Sequence, residues 1–166
     1  MQTEFFRVSS SEQINVTAAL ASEIWHEHYT PIIGVEQVRY MLARFQSVGA
    51  ITAQIEAAEL IYFNIFDAGY PVGYFAVQLR EKELFLSKFY LKKLSRNKGL
   101  GRKAMMFIQN VASENCLRKI TLTINRNNNN SLAAYKKMGF VCYGEAVNDI
   151  GEGYVMDDYL LEFNLK

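Results

Sequence analysis

Apolar residues in this chain recur first at a helical period, then at a strand period, then at both in alternation. Ile14, Ala18, Ala21 and Trp25 form one helical stripe; after Pro31 and Gly34, a second holds Val35, Val38, Leu42 and Phe45. Ser10-Ser11-Glu12-Gln13 precedes the first stripe and reads as a capping box: a serine oxygen accepts from an orphan amide and the glutamine reaches back. Phe5–Val8 reads as a short strand ahead of it, and residues 51–56 suggest a further short helix. From Leu60 the composition turns to Ile, Tyr, Phe and Val. Leu60–Phe66 and Val72–Arg80 flank Asp67-Ala68-Gly69 and predict an antiparallel hairpin. Leu84–Leu91 is apolar on both faces, which predicts a central strand covered on both sides.

Beyond residue 100 the two periods alternate. A helix carries Ala104, Met105, Ile108, Val111 and Ala112 on its apolar side. Ile120–Ile124, with β-branched Thr121 and Thr123, reads as a strand. Ser131–Met138 reads as a short helix stopped by Gly139. Phe140–Ala146 and Tyr154–Leu165 complete the strands. The expectation is a single α/β (α+β) domain over residues 1–166: a mixed, mostly antiparallel sheet of six to seven strands flanked by helices.

Composition narrows the function. The chain has 166 residues, half of them hydrophobic, enough for one core. Eighteen Lys and Arg against 17 Asp and Glu leave a formal charge of +1, too little for a nucleic-acid binder. Cys116 and Cys142 lack a disulfide framework or metal-ligand spacing, which fits a reduced, cytoplasmic setting. His26 and His28, two apart on a helix, point to different sides, so no metal site is expected. Neither a signal-peptide pattern nor an apolar run of about 18 residues occurs, so no membrane span is expected.

Positive charge gathers at 92–103, around Arg96, Lys98, Gly99, Gly101, Arg102 and Lys103. A strand, a glycine-rich turn and a helix start together form an anion cradle, because the first helical amides lack internal partners. A solvated basic turn is the alternative. No third glycine completes a dinucleotide fingerprint, and Gly-Lys-Ser/Thr is absent.

A second stretch, ITLTINRNNNNSLAAYKKMGF at 120–140, bears on that choice. Taken with Arg96-Asn97-Lys98-Gly99-Leu100-Gly101, the chain resembles the GNAT superfamily of acyl-CoA-dependent N-acetyltransferases. The first motif matches the family's Arg/Gln-x-x-Gly-x-Gly/Ala, and Asn128, Ser131 (in place of alanine), Tyr135 and Gly139-Phe140 follow its second. The resemblance implies a GNAT-like fold with acetyl-CoA as cosubstrate. Its diphosphate would rest on the amides of Asn97, Lys98, Gly99, Leu100, Gly101 and Arg102, with Arg96 positioning the loop. The pantetheine arm would bond to the backbone of Phe89, Tyr90 and Leu91, and Asn128 and Ser131 would line its channel. Lys137 would reach the phosphates. Tyr135 would be the general acid for the departing thiolate, and the Leu91 amide an oxyanion donor.

Acetyl transfer needs a neutral amine, donors for the oxyanion and a proton for the thiolate. A phenol suits the last task. For the base, Glu23, Glu27, His26, His28, Asp157 and Asp158 stay open. Asp157 falls in the alternate set Val155, Tyr159, Leu161, Phe163, Leu165, which suggests a desolvated carboxylate on a core-facing stripe. Trp25, Glu27, Tyr29 and Asp157 supply aromatic and acidic groups that suit a cationic amine. LFLSKFYL and DIGEGYVMDDYLLE further resemble a branch that includes bacterial spermidine/spermine acetyltransferases. The leading acceptor is therefore a polyamine; homodimers are common in the family this chain resembles, and the sequence shows no specific interface stripe. A non-catalytic acyl-CoA sensor and a protein N-acetyltransferase are the competing readings.

Overall fold

The computed structural model describes residues 2–166. Its elements are β1 (Thr3–Arg7), α1 (Ser11–Ile33), α2 (Val35–Phe45), α3 (Val48–Glu56), β2 (Ile61–Asp67), β3 (Tyr70–Leu79), β4 (Leu84–Leu91), α4 (Leu100–Glu114), β5 (Lys119–Asn125), α5 (Asn129–Lys137), β6 (Val141–Gly151) and β7 (Tyr154–Asn164). A single 3-10 turn, Lys93–Ser95, follows β4. The seven strands form one mixed sheet in the order β1-β2-β3-β4-β5-β7-β6, as a GNAT-like α/β fold requires. The β4–β5 pairing is parallel, through Leu84↔Ile120 and Phe85↔Thr121. The pairs β1–β2, β2–β3, β5–β7 and β6–β7 are antiparallel.

Local chemistry accounts for most boundaries. Ser10 caps α1 by accepting from the Gln13 amide, and the Gln13 side chain accepts from the Ser10 amide, so the expected capping box is present. Pro31 does not end α1. The helix runs on to Ile33 and breaks at Gly34 (φ +87°), because a proline this close to the C-terminus removes only one interior bond. The short third helix starts earlier than 51–56, since Ser47 accepts from the Ala50 amide at 3.1 Å and caps it. Ala68 and Gly69 both take positive φ, the type I′ geometry that joins β2 to β3. Among the described residues no helix is long and apolar enough to cross a membrane.

The chain divides into two compact units. One holds residues through Gln78 with Ser87–Phe107; the other holds Leu79–Leu86 with Ile108–Lys166. In the first, alternation sorts β2 and β3 into two faces. Phe63 and Phe75 stack at 5.0 Å and meet Phe107 of α4 at 5.3 and 6.0 Å, with Phe5 on the same cluster. The opposite face carries polar groups under the helices: Thr17 of α1 donates to Asn64 at 2.7 Å, and Tyr74 donates to Gln46. In the second unit Ile120, Leu122 and Ile124 of β5 are buried, as is Leu161 of β7. Phe140 stands 5.4 Å from Phe163 and 5.5 Å from Tyr135.

β4 is not apolar on both sides in the way its sequence suggests. Leu84, Leu86 and Lys88 are buried, while Phe85, Ser87 and Phe89 are half-buried. Lys88 is the surprise: it is 8% exposed, donates to the Tyr62 hydroxyl at 2.8 Å, and lies 5.1 Å from the Tyr62 ring centroid. Tyr62 donates in turn to Gln54 at 2.5 Å. Burial lowers the Lys88 ammonium to about 8 and pushes the Tyr62 phenol up. A lysine whose folded value lies below its unfolded one binds more protons when unfolded. Stability of the native protein should therefore rise with pH between about 8 and 10, by up to about 3 kcal/mol. Urea unfolding across that range should show the rise in the native protein and not in Lys88→Met; parallel curves would refute it.

Candidate functional site

The basic stretch begins where β4 ends. The Lys92 amide donates to the Val72 carbonyl at 2.8 Å, and the Leu91 carbonyl accepts from Arg96 Nε at 3.0 Å. Both ends of that peptide are thus fixed. Gly73 makes the close approach feasible: a Cβ there would collide with the Tyr90 carbonyl and come within 2.8 Å of Leu91 Cδ2. Arg96 also reaches His28 Nδ1 at 3.3 Å, so its charge turns toward α1 rather than out into the loop.

The loop then turns through Asn97 (φ +61°) and Gly99 (φ +80°). The first bond of α4 runs from the Lys103 amide to the Gly99 carbonyl at 3.1 Å, so the amides of Leu100, Gly101 and Arg102 have no carbonyl one turn back. Leu100 is buried and anchors the helix start; Asn97, Lys98, Gly99 and Arg102 are exposed. A Cβ on Gly99 would meet nothing within 4 Å, so the glycine serves the backbone conformation and not a close contact. Exposed amides at a helix start, ringed by cations, make an anion site.

Next to this loop, α1 presents its aromatic residues to β4. Trp25 stacks on Tyr29 at 4.3 Å and meets Tyr90 edge-on at 5.5 Å. Trp25 is 3% exposed, so it is a core residue of this unit more than an open cleft wall. Glu23 pairs with Lys92 at 3.1 Å, and Glu27 is exposed. His26 bonds to the Ser22 carbonyl at 2.8 Å while His28 faces Arg96, so the two do point apart.

In the second unit Asn128 stands at the N-cap position of α5, without a side-chain capping bond, and is buried. Its amide donates to the Asn125 carbonyl at 2.9 Å and its carbonyl accepts from the Leu132 amide at 3.0 Å. Helical spacing sets Ser131 and Tyr135 one turn apart on the same side. Both are half-buried, and Lys137 is exposed.

Asp157 is not desolvated as its stripe suggests, and its neighbour Asp158 is. The Asp157 side chain is 44% exposed and accepts from Arg126 Nε at 3.2 Å. Arg126 also bonds to Glu145 at 3.1 Å and lies 4.8 Å from the Tyr159 ring centroid. Asp157 does share the Tyr159–Leu161 stripe, but near the open end of the strand an arginine holds it in solvent. Asp158, on the other face, is the buried one at 5% exposure. Burial first, and the charge of Asp157 second, raise its carboxyl to about 6.

Alternation along β7 holds no signal that could have separated these two, because Arg126 decides it. Gly73 was equally silent in a strand rich in apolar residues. The lysine within LFLSKFYL was visible as a charge on an apolar run, yet its burial depends on Tyr62 and Gln54.

The model of the acetyltransferase (GNAT) family matches residues 20–140. No curated protein sequence matches the chain. Among solved structures it is similar to the PaiA N-acetyltransferase of Thermoplasma acidophilum in complex with coenzyme A, at 17% identity, 99% coverage of both chains and a TM-score of 0.81. It is also similar to the ribosomal-protein-S18-alanine N-acetyltransferase of Escherichia coli, at 11% identity over 99% of this chain and 94% of that one, with a TM-score of 0.72. A spermidine N-acetyltransferase SpeG chimera from Vibrio cholerae and hSSAT shares 15% identity over 99% and 96% of the two chains, with a TM-score of 0.71. Likeness at these identities is a likeness of fold. The family match covers most of the chain and both motifs fall on the elements they require, so this protein belongs to the acetyltransferase (GNAT) family and is an acyl-CoA-dependent N-acetyltransferase.

Proposed function

We propose that the protein transfers the acetyl group of acetyl-CoA to a primary amine by direct attack in a ternary complex, with residues 1–166 acting as one catalytic domain. The observation that carries this reading is the Arg96–Arg102 loop, with left-handed Asn97 and Gly99 ahead of the free amides of α4. Amides of Asn97 to Arg102 hold the diphosphate, and Lys98, Arg102 and Lys137 add charge. The pantetheine arm runs along Phe89, Tyr90 and Leu91. Asn128 and Ser131 contact the same arm.

The amine lone pair bonds to the thioester carbon, and charge develops on the oxygen, where the Leu91 amide donates. The C–S bond then breaks and the sulfur takes the Tyr135 proton. No covalent enzyme intermediate is needed, so Cys116 and Cys142 stay outside the chemistry. The finer reading is a polyamine acceptor. Exposed Glu27, Asp149 and Glu152 and partly exposed Asp157 support a cationic substrate.

Replacing Gly99 with Glu strains the left-handed backbone and puts negative charge at the diphosphate. Calorimetry should record acetyl-CoA affinity lower by about 100-fold or more. Affinity equal to the native protein's would remove the diphosphate from this loop. Thiol release from acetyl-CoA, assayed against polyamines, amino acids, aminoglycosides and peptides, tests the reaction itself. Tyr135→Phe should cut turnover by about 100-fold while acetyl-CoA binding stays nearly intact. Unchanged turnover would give the proton to another donor. Binding without acetylation of any amine would favour a sensor, and turnover confined to peptides a protein N-acetyltransferase.

A further inference from the structure

We propose that Asp158 is the catalytic base, taking the proton of the acceptor nitrogen as acetyl transfer proceeds. This rests on the amine acetyltransferase reading above and adds the residue that reading lacks.

The argument starts from a carboxylate with nothing to hold. Asp158 is 5% exposed and its Oδ1 has no hydrogen-bond partner among the described residues. A buried carboxylate oxygen left bare costs several times what a satisfied one does. Its ladder neighbours, Asn125 of β5 and Ala146 of β6, bring no positive charge. The cation at this end of the strands, Arg126, is committed on the other face to Asp157, Glu145 and Tyr159. Alternation keeps Asp158 away from that group. Of the charged groups of these strands, Asp157, Glu145 and Arg126 lie on the other face and Glu162, paired with Lys119, on the face of Asp158, and Asp157 is the one that acts on its titration.

Such a group makes sense if its partner arrives from outside. The partner must be a donor, and a positively charged one compensates best. An amine acceptor is that donor. Asp158 also lies directly opposite Asn125, the last residue of β5, whose carbonyl accepts from buried Asn128. The bare carboxylate therefore borders the strand end from which the second family motif starts.

The proton count closes. The bound ammonium first loses one proton to solvent through Asp158. The neutral amine then adds to the thioester carbon, and the adduct nitrogen, far more acidic than a free ammonium, gives its remaining extra proton to the re-ionised Asp158. The C–S electron pair goes to sulfur, which takes the Tyr135 proton. Solvent then returns one proton to Tyr135 and removes one from Asp158, leaving the acetamide and free thiol. A carboxyl at about 6 is ionised at pH 7, as a base must be, yet more basic than a surface aspartate.

Asp158→Asn and Asp157→Asn separate the claim from a structural role. With the panel amine that the native protein acetylates fastest, Asp158→Asn should lower kcat about 100-fold or more and leave the acetyl-CoA Kd unchanged. The acidic limb near pH 6 in the native kcat/KM profile should vanish in that variant and persist in Asp157→Asn. Because burial raises the folded carboxyl above its unfolded value, the charge costs stability above pH 6. The amide variant should therefore melt no lower than the native protein at pH 7.5, whereas loss of a structural carboxylate would lower it. Asp158→Glu, which keeps a base, should retain the limb at reduced kcat, and serves if the amide variant does not fold. Turnover within threefold of native with an intact acidic limb overturns the assignment of Asp158. A native protein that acetylates no amine overturns the underlying reading instead, and the two results are distinct.

Discussion

The fastening of the Leu91–Lys92 peptide is the constraint on which the first half of the site depends. Its N–H is held by the Val72 carbonyl and its C=O by Arg96. Releasing either would free the end of β4, and with it the turn that leads to Asn97 and Gly99. The contact tolerates no side chain at residue 73, so a glycine in β3 is as much part of the loop as the glycines in it. Arg96 joins a third element by reaching His28. One guanidinium thus ties the end of β4, the start of the loop and helix α1 together. Arg96 is thereby engaged with backbone and histidine, and the first amides of α4 are left without a carbonyl one turn back.

Two buried ionisable groups mark where stability has been set against other needs. Lys88 is partly compensated: Tyr62 accepts from it, and Tyr62 passes a hydrogen bond on to Gln54. Such a chain satisfies the polar atoms and leaves only the charge at a cost. Asp158 has no partner for its Oδ1 among the described residues. Its neighbour Asp157 has an arginine, and Asp158 has a bare oxygen. Groups of this kind are the ones whose proton affinity is tuned for chemistry, because the same low dielectric that penalises the charge makes it a better base.

The aromatic residues of α1 carry a similar double meaning. Trp25 and Tyr29 lie against Tyr90, the residue before the proposed oxyanion donor. Their burial means that they support β4 from behind. Exposed Glu27, by contrast, is free of that packing role and available to a ligand.

The local pattern of the chain was enough to determine the elements and the two motifs. The capping box, the Asp67-Ala68-Gly69 turn, the β5 strand and the glycine stop after α5 each follow from residues within a few positions of one another, and such short-range terms are readable without a fold. The motifs were equally legible, because their residue types recur at fixed spacing and the left-handed turn at Asn97 and Gly99 favours asparagine and glycine. What only the tertiary structure decided was the state of side chains whose partners lie far away in sequence. Lys88 is buried because Tyr62 and Gln54 receive it. Asp157 is solvated because Arg126, 31 positions back, holds it. Asp158 is desolvated and bare because nothing among the described residues reaches its Oδ1. Charge, burial and proton affinity are sums over neighbours in space, and that sum is not written along the chain.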